Sequence, residues 1–280
     1  MPIETHPALR YVTPLREGGS LPALVETGGG MYVVKFRGAG QGARALVAEL
    51  IVGGLAQALG LPLPDLAVVD LGDGFGRAEP DPEIQDILRG STGENVGLGF
   101  VAGAFAYEHA AHADLIDPAL AADIVWLDAL TTNIDRTARN PNLLMARGDD
   151  GPQLWLIDHG AALYFHHNWD TVTPERAQAP FPPIRDHVLL PVAGPVAEAD
   201  DRLAPRLDPA TLDAVVAAVP DALLMDAPDG REPAFATADA AREAYTSFFR
   251  TRLEEPRRWV GEAARAQAEA PDTSPLAYRR

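Results

Sequence analysis

The sequence contains no cysteine. Disulfides, zinc–cysteine sites, iron–sulfur clusters and thiol nucleophiles are thereby excluded. Positive charge is also scarce: 23 basic residues stand against 40 acidic ones, for a formal net charge of −17 in 280 residues. Nonspecific affinity for nucleic acid comes from Lys and Arg neutralising phosphates, so no direct nucleic-acid partner is expected. Long apolar runs are missing as well. The longest uncharged stretch, Leu50 to Pro64, is interrupted by Gly53, Gly54, Gln57 and two prolines. It falls short of the roughly 18 apolar residues of a membrane span. Met1 to Arg10 lacks the basic-then-apolar pattern of a secretion signal. The expectation is a soluble cytoplasmic protein with no membrane partner. A hydrophobic share of 47% is globular, and the length suits one large domain or two packed lobes.

Lysine is the rarest charged residue: Lys35 is alone among 22 arginines. A compact ammonium suits a phosphate in a way that a forked guanidinium does not. The strand Met31 to Phe36 carries it, preceded by a turn at Gly28-Gly29-Gly30. Two earlier strands are read at Leu9–Leu15 and Leu21–Thr27, with a flexible turn, Arg16 to Ser20, between them. A helix follows over about 43–59, stopped by Gly60, Pro62 and Pro64, with Val47, Ile51, Leu55 and Ala58 as its buried stripe. A strand at Leu66–Leu71, a short helix at 81–90 and a strand at Gly97–Gly103 complete a small β-rich region, 1–103.

Residues 104–270 read as mainly helical. Asp117-Pro118 caps a helix to about Thr132, a hairpin spans 142–157, and an irregular stretch runs from Asp170 to about Pro195. Helices are expected near 208–219, 237–254 and 256–270, and 271–280 is read as a tail.

Five positions carry candidate chemistry. Lys35 is either a solvated lysine on an edge strand or a functional ammonium on a central one. Glu49 is the only ionisable residue from Ala45 to Gly60, on a face with Ala45, Val52 and Ala56. A buried carboxylate needs a partner, and Lys35 is the natural one; the alternative is a narrow exposed strip. Asp135 and Asn140 lie five apart in one loop, Asp135 able to orient a hydroxyl and Asn140 to offer an amide oxygen to a hard cation. Plain Asx-turn capping would also explain them. Asp158 ends the apolar run Leu154 to Ile157, and Gly160 permits an abrupt turn after it. With Asp135 and Asn140 it makes an oxygen-rich cluster of the kind Mg²⁺ prefers. His159, His166 and His167 lack metal-ligand spacing and are read as structural hydrogen-bond partners.

The order is glycine-containing turn, strand Lys, helix Glu, connector, Asp-x4-Asn, hairpin and strand-end Asp-x-Gly. It matches the order of parts in the protein-kinase-like fold. The segments Leu130 to Asn142 and Leu156 to His167 closely resemble the bacterial HipA-like kinase domain family, and Asp186–Pro191, Arg252-Leu253 and Pro256-Arg257 resemble it too. The Asp135-Arg136 to Asn140 loop is also similar to the D-R-x-x-x-N loop of phosphatidylinositol 3/4-kinases. The resemblance implies an α+β, two-lobed protein-kinase-like fold, with a small β-rich N-lobe, a mainly helical C-lobe and ATP between them. It implies Asp135 as catalytic base, Asn140 and Asp158 as ligands of Mg²⁺ (or Mn²⁺), and Lys35 as a phosphate contact held by Glu49. Gly18, Gly19 and Ser20 stand where the phosphate loop belongs, without a GxGxxG. Phe100, Val101 and Ala102 stand where the hinge meets the nucleotide.

The function expected is a Mg²⁺/ATP-dependent kinase transferring a phosphoryl group to a hydroxyl of a protein (Ser/Thr) or a small molecule. A nucleotide-binding pseudokinase that presents a surface is the alternative. A metal-dependent hydrolase is the third reading, and it leaves Lys35 and Glu49 unexplained.

Overall fold

The computed structural model describes residues 3–15, 21–77, 79–149, 151–227 and 232–270. The expected phosphate loop, with Gly18, Gly19 and Ser20, and the 271–280 tail lie outside them. The chain is mixed α+β, sheet-rich in its N-terminal region and helical in its C-terminal region.

Strands β1 (Glu4–Pro14), β2 (Ala23–Thr27) and β3 (Gly30–Lys35) run into helix α1 (Gly42–Leu59). Next come β4 (Leu66–Leu71), α2 (Pro82–Arg89) and β5 (Gly93–Gly99). The five strands close into a barrel in the order β1-β2-β3-β5-β4, with β1 and β4 parallel and the other pairs antiparallel. Closure leaves no long sheet edge to manage. The two-residue alternation of a strand sorts the side chains. Ala23, Val25, Tyr32, Val34, Ala67, Val69 and Leu71 form one small core, joined by Ile84 and Leu88 of α2. Val33 and Lys35, on the other face of β3, are left to line a cavity.

That β5 ends at Gly99, not Gly103, corrects the expected strand Gly97–Gly103. Its first half was hidden from a hydrophobic pattern by Glu94 and Asn95. Asn95 is fully buried, and its side chain donates to the Ser91 and Gly93 carbonyls at 2.8 and 2.7 Å and accepts from the Arg37 amide at 2.9 Å. Phe100, Val101 and Ala102 therefore follow the strand as connector, tied back by the Phe100 N–H to the Met31 carbonyl at 2.9 Å.

Helix α1 is buried on more than the single stripe read from its periodicity; Ala43, Leu46, Ala48, Leu50 and Val52 are buried too. It touches β4 and β5 on one side and the C-terminal helices on another. By length and composition it could cross a membrane, but 78% of it lies inside the fold, which makes it the core helix.

The second half begins with β6 (Phe105–Ala106), α3 (His109–His112) and α4 (Pro118–Leu130), then the hairpin β7 (Leu143–Gly148) and β8 (Gly151–Leu156). Strands β6, β7 and β8 form a three-stranded sheet in that order. Asp117 caps α4 by accepting from the Ala119 amide at 2.9 Å, with Pro118 at the first helical position, as the sequence predicts. Then come α5 (Pro174–Ala177), α6 (Val196–Leu203), α7 (Pro209–Ala217), α8 (Asp221–Leu224), α9 (Ala238–Leu253) and α10 (Arg258–Glu269). The 170–195 stretch is a series of short 3₁₀ turns around α5. It is held in place by the buried Arg252, which donates to the Ala129, Leu130 and Ala177 carbonyls at 2.7, 2.7 and 2.6 Å. A large core runs without a break from α1 through α4 to α9 and α10.

Candidate active site

Lys35 is the last residue of β3, a central strand flanked by β2 and β5, so the edge-strand reading does not hold. Its Nζ donates to Oε1 of Glu49, in the second turn of α1, and to Oδ1 of Asp158 at 2.6 Å. Glu49 is 1% exposed, on a helix flank whose other residues are apolar, which rules out the exposed strip. Burial alone lowers the Lys35 pKa, but the two carboxylates more than reverse it and raise it above its usual value. Burial raises the Glu49 carboxyl, with Lys35 opposing the shift. Burial also pushes Asp158 up, yet Lys35 holds it below the ordinary carboxylate range.

Asp158 follows β8 and adopts a left-handed backbone, φ +54°. Aspartate tolerates that region better than most residues. The turn predicted at Gly160 is present, closed by the Ala162 N–H to the His159 carbonyl at 2.9 Å, and Gly160 serves close approach as well. A Cβ there would sit 3.3 Å from Glu49 Oε1 and 3.4 Å from Ala45 Cβ. The turn after β8 lies directly on α1 for want of that carbon.

Asp135 and Asn140 meet. Oδ2 of Asp135 accepts from the Asn140 amide at 2.6 Å and from the Asn142 amide at 3.2 Å. Loop capping is present as well: the Asp135 N–H donates to Asn133 Oδ1 at 3.0 Å, and the Thr137 N–H to the Asn140 carbonyl at 3.0 Å. The side chain that caps the loop is thus that of Asn133, while those of Asp135 and Asn140 bond each other. Asn140 spends its NH₂ on Asp135, which leaves its amide oxygen for a cation.

One cavity of about 610 Å³ collects these groups: Lys35, Glu49, Asp135, Asn140, Asn142 and Asp158 line it. Val33, Leu98, Leu144 and Ile157 supply apolar wall, and Phe100 and Val101 reach its rim from the connector; Ala102 does not line it. Gln41 and Asn142 also line the cavity. Neither had been assigned a role from sequence, where Asn142 sits inside the quoted motif and Gln41 in an unremarkable Gly-rich turn.

The histidines stand apart from the cavity lining. His159 is fully buried and its pKa falls to about 3, burial being the first cause and the Arg136 charge the next. His166 Nδ1 pairs with the Tyr245 hydroxyl at 2.9 Å. Among the described residues no group of three His, Cys, Asp or Glu could hold a metal ion. The groups that line the cavity offer hard oxygens, those of Asp158 and Asn140 among them, which suit a cation such as Mg²⁺ or Mn²⁺ better than zinc.

A profile of the HipA-like kinases matches residues 13–181, more than half of the chain. The chain belongs to the HipA-like kinase family. The match contains Lys35, Glu49, Asp135, Asn140 and Asp158, and does not extend to Asp186–Pro191, Arg252-Leu253 or Pro256-Arg257. Among solved structures, the chain is similar to that of a Helicobacter pylori proinflammatory kinase, CtkA. The identity is 12%, with 96% of this chain and 98% of that one covered and a TM-score of 0.48. No curated protein matches the chain. A kinase family implies use of ATP and an acceptor.

Proposed function

We propose that this HipA-like chain is an ATP- and Mg²⁺-dependent phosphotransferase with the two-lobed organisation of kinases, the barrel region forming one lobe and the helical region the other. The observation that carries the reading is the convergence of Lys35 and Glu49, from the barrel and α1, with Asp158, Asp135 and Asn140, from the helical region, around one cavity. The apolar wall of Val33, Leu98, Leu144 and Ile157 suits a nucleotide base, and Lys35 would contact its phosphates. Asp158 and Asn140 Oδ1 would hold Mg²⁺, or Mn²⁺, which when bound neutralises charge on the transferred phosphoryl group. Asp135 then receives the acceptor's hydroxyl proton while the acceptor oxygen takes the γ-phosphoryl group and ADP leaves.

The acceptor lies on the other side of the Asp135 loop in this reading. A groove of about 660 Å³ there is lined by Thr132, Ile134, Tyr164, Phe165, Phe181 and Phe248 among others. The irregular 170–195 stretch contributes Thr171, Val172, Arg176 and Pro183 to it. A protein Ser/Thr or a small-molecule hydroxyl is the acceptor class. A cytoplasmic location, where ATP is supplied, goes with the proposal. Incubation with γ-labelled ATP and Mg²⁺ tests it: label transferred to protein or to an added acceptor supports it. Binding without transfer leaves a pseudokinase, and neither binding nor transfer rejects it.

A further inference from the structure

Asp128 lies in the last turn of α4, fully buried, among Val125, Trp126, Leu127, Ala129 and Leu130, none of which is exposed. A lone carboxylate in such surroundings persists only where donors meet it. Three do. Oδ1 accepts from the Asn133 amide at 2.9 Å, and Oδ2 accepts from Arg136 Nε at 2.5 Å and from His187 Nε2 at 2.9 Å. The proton on His187 is fixed at Nε2, because Nδ1 already accepts from the Leu189 N–H at 3.1 Å.

Each donor holds a different part of the candidate site. Asn133 receives the Asp135 N–H on its own Oδ1. Arg136, the next residue after Asp135, reaches across to the hairpin. Its Nη1 donates to the Asn142 carbonyl and to the Ile157 carbonyl at 3.2 Å, and its Nη2 lies 3.2 Å from His159 Nδ1. Ile157 and His159 are the two chain neighbours of Asp158. His187 closes the third side: it bridges to Thr137, while the Val188 N–H donates to the Arg136 carbonyl at 3.0 Å. Asp128, Arg136 and His187 do not line the cavity.

We propose that Asp128 is a positioning residue that fixes the separation of Asp135 and Asp158 through Asn133 and Arg136. The proposal rests on the phosphotransferase reading and deepens it. The charge and both oxygens of Asp128 are needed. Three buried donors converge on one carboxylate, whereas an Asn side chain has a single acceptor oxygen and would turn an NH₂ on one of them. Arg136 would also be left buried without a counter-charge. The loop would relax, and a displacement of about 1 Å between reacting groups is enough to cost roughly 100-fold in rate.

The test compares steady-state phosphotransfer in Asp128→Asn, His187→Phe, His187→Gln and, as a control, Leu212→Ala. Leu212 is a buried residue of α7, outside the site and the network. The expected result is a kcat lowered by about 100-fold in Asp128→Asn with KM for ATP within about threefold, since Lys35 and the apolar wall are untouched. His187→Phe lowers kcat as well, and His187→Gln, which keeps a donor near the Nε2 position, restores most of it. Leu212→Ala lowers the melting temperature and leaves kcat per folded molecule unchanged. A folded Asp128→Asn enzyme with near-native kcat overturns the proposal, as does a parallel fall in kcat and ATP affinity. If Asp128→Asn does not fold, equal kcat in the two His187 variants overturns it instead. Absence of phosphotransfer in the native protein overturns the phosphotransferase reading itself, and this inference with it.

Discussion

Replacing Lys35 by Met tests fold and chemistry at once. Glu49 is almost wholly buried, and Lys35 is the side chain whose hydrogen bond it accepts, with the His159 backbone N–H also favouring its charged form; among the described residues none bonds its second oxygen, Oε2. Lys35→Met therefore strands a carboxylate in an apolar helix flank, which costs roughly 3–5 kcal/mol of stability. Glu49→Leu should cost less, about 2 kcal/mol, because Lys35 keeps its 2.6 Å contact with the half-exposed Asp158. The double replacement removes the buried charges together and should cost no more than about 2 kcal/mol. The cycle then shows a coupling of at least about 3 kcal/mol, read from urea unfolding at pH 7 without nucleotide. Phosphotransfer should stay absent in the double variant, since the phosphate contact has not returned. Stability losses that add to within about 0.5 kcal/mol, or native turnover from Lys35→Met, would refute the pairing and the role built on it.

Asp135→Asn should abolish phosphotransfer while leaving ATP binding within a few-fold of native, because in the proposed reaction Asp135 acts on the acceptor hydroxyl. Native turnover in that variant would reduce Asp135 to a loop cap. Stability should also fall with acid. Burial lowers the pKa of His187 and His166 and takes His159 from its ordinary 6.5 to about 3. Between about 3 and 6.5 the unfolded chain thus binds more protons than the folded one. That contribution is complete above pH 6.5 and is lost as pH falls through this window. Urea midpoints should drop steadily from pH 7 to pH 4.5, and a flat profile would mean that these rings are not held neutral by the fold.

Much of this was legible in the sequence for identifiable reasons. Asp117-Pro118 is a local signal, so the start of α4 was read correctly, and a lone Glu on an apolar helix announced a partner. Lys35 was ambiguous until pairing placed β3 between β2 and β5, because edge or centre is a property of the sheet and not of the strand. The first half of β5 was missed because Asn95 is buried through hydrogen bonds to its own loop, which no hydrophobic pattern records. The stripe read on α1 was too narrow because layers pack on several of its faces. Asp128 was passed over for the opposite reason. It lies four residues before Thr132 in a helix that reads as plain core, and its partners are spread from Asn133 to His187. The groove beside Ile134 was illegible too, since its walls include the 170–195 stretch and Phe248 of α9, which only tertiary packing brings together.

Calorimetric titration of ATP, with and without Mg²⁺, into the native protein and Asp158→Ala addresses the central claim most directly. If the cavity between Lys35, Asp158 and Asn140 holds a metal-bound nucleotide, Mg²⁺ should tighten ATP binding to the native protein. Asp158→Ala should erase most of that gain while keeping a folded structure. ATP binding that is indifferent to metal in the native protein, or equally metal-dependent in Asp158→Ala, would contradict the account.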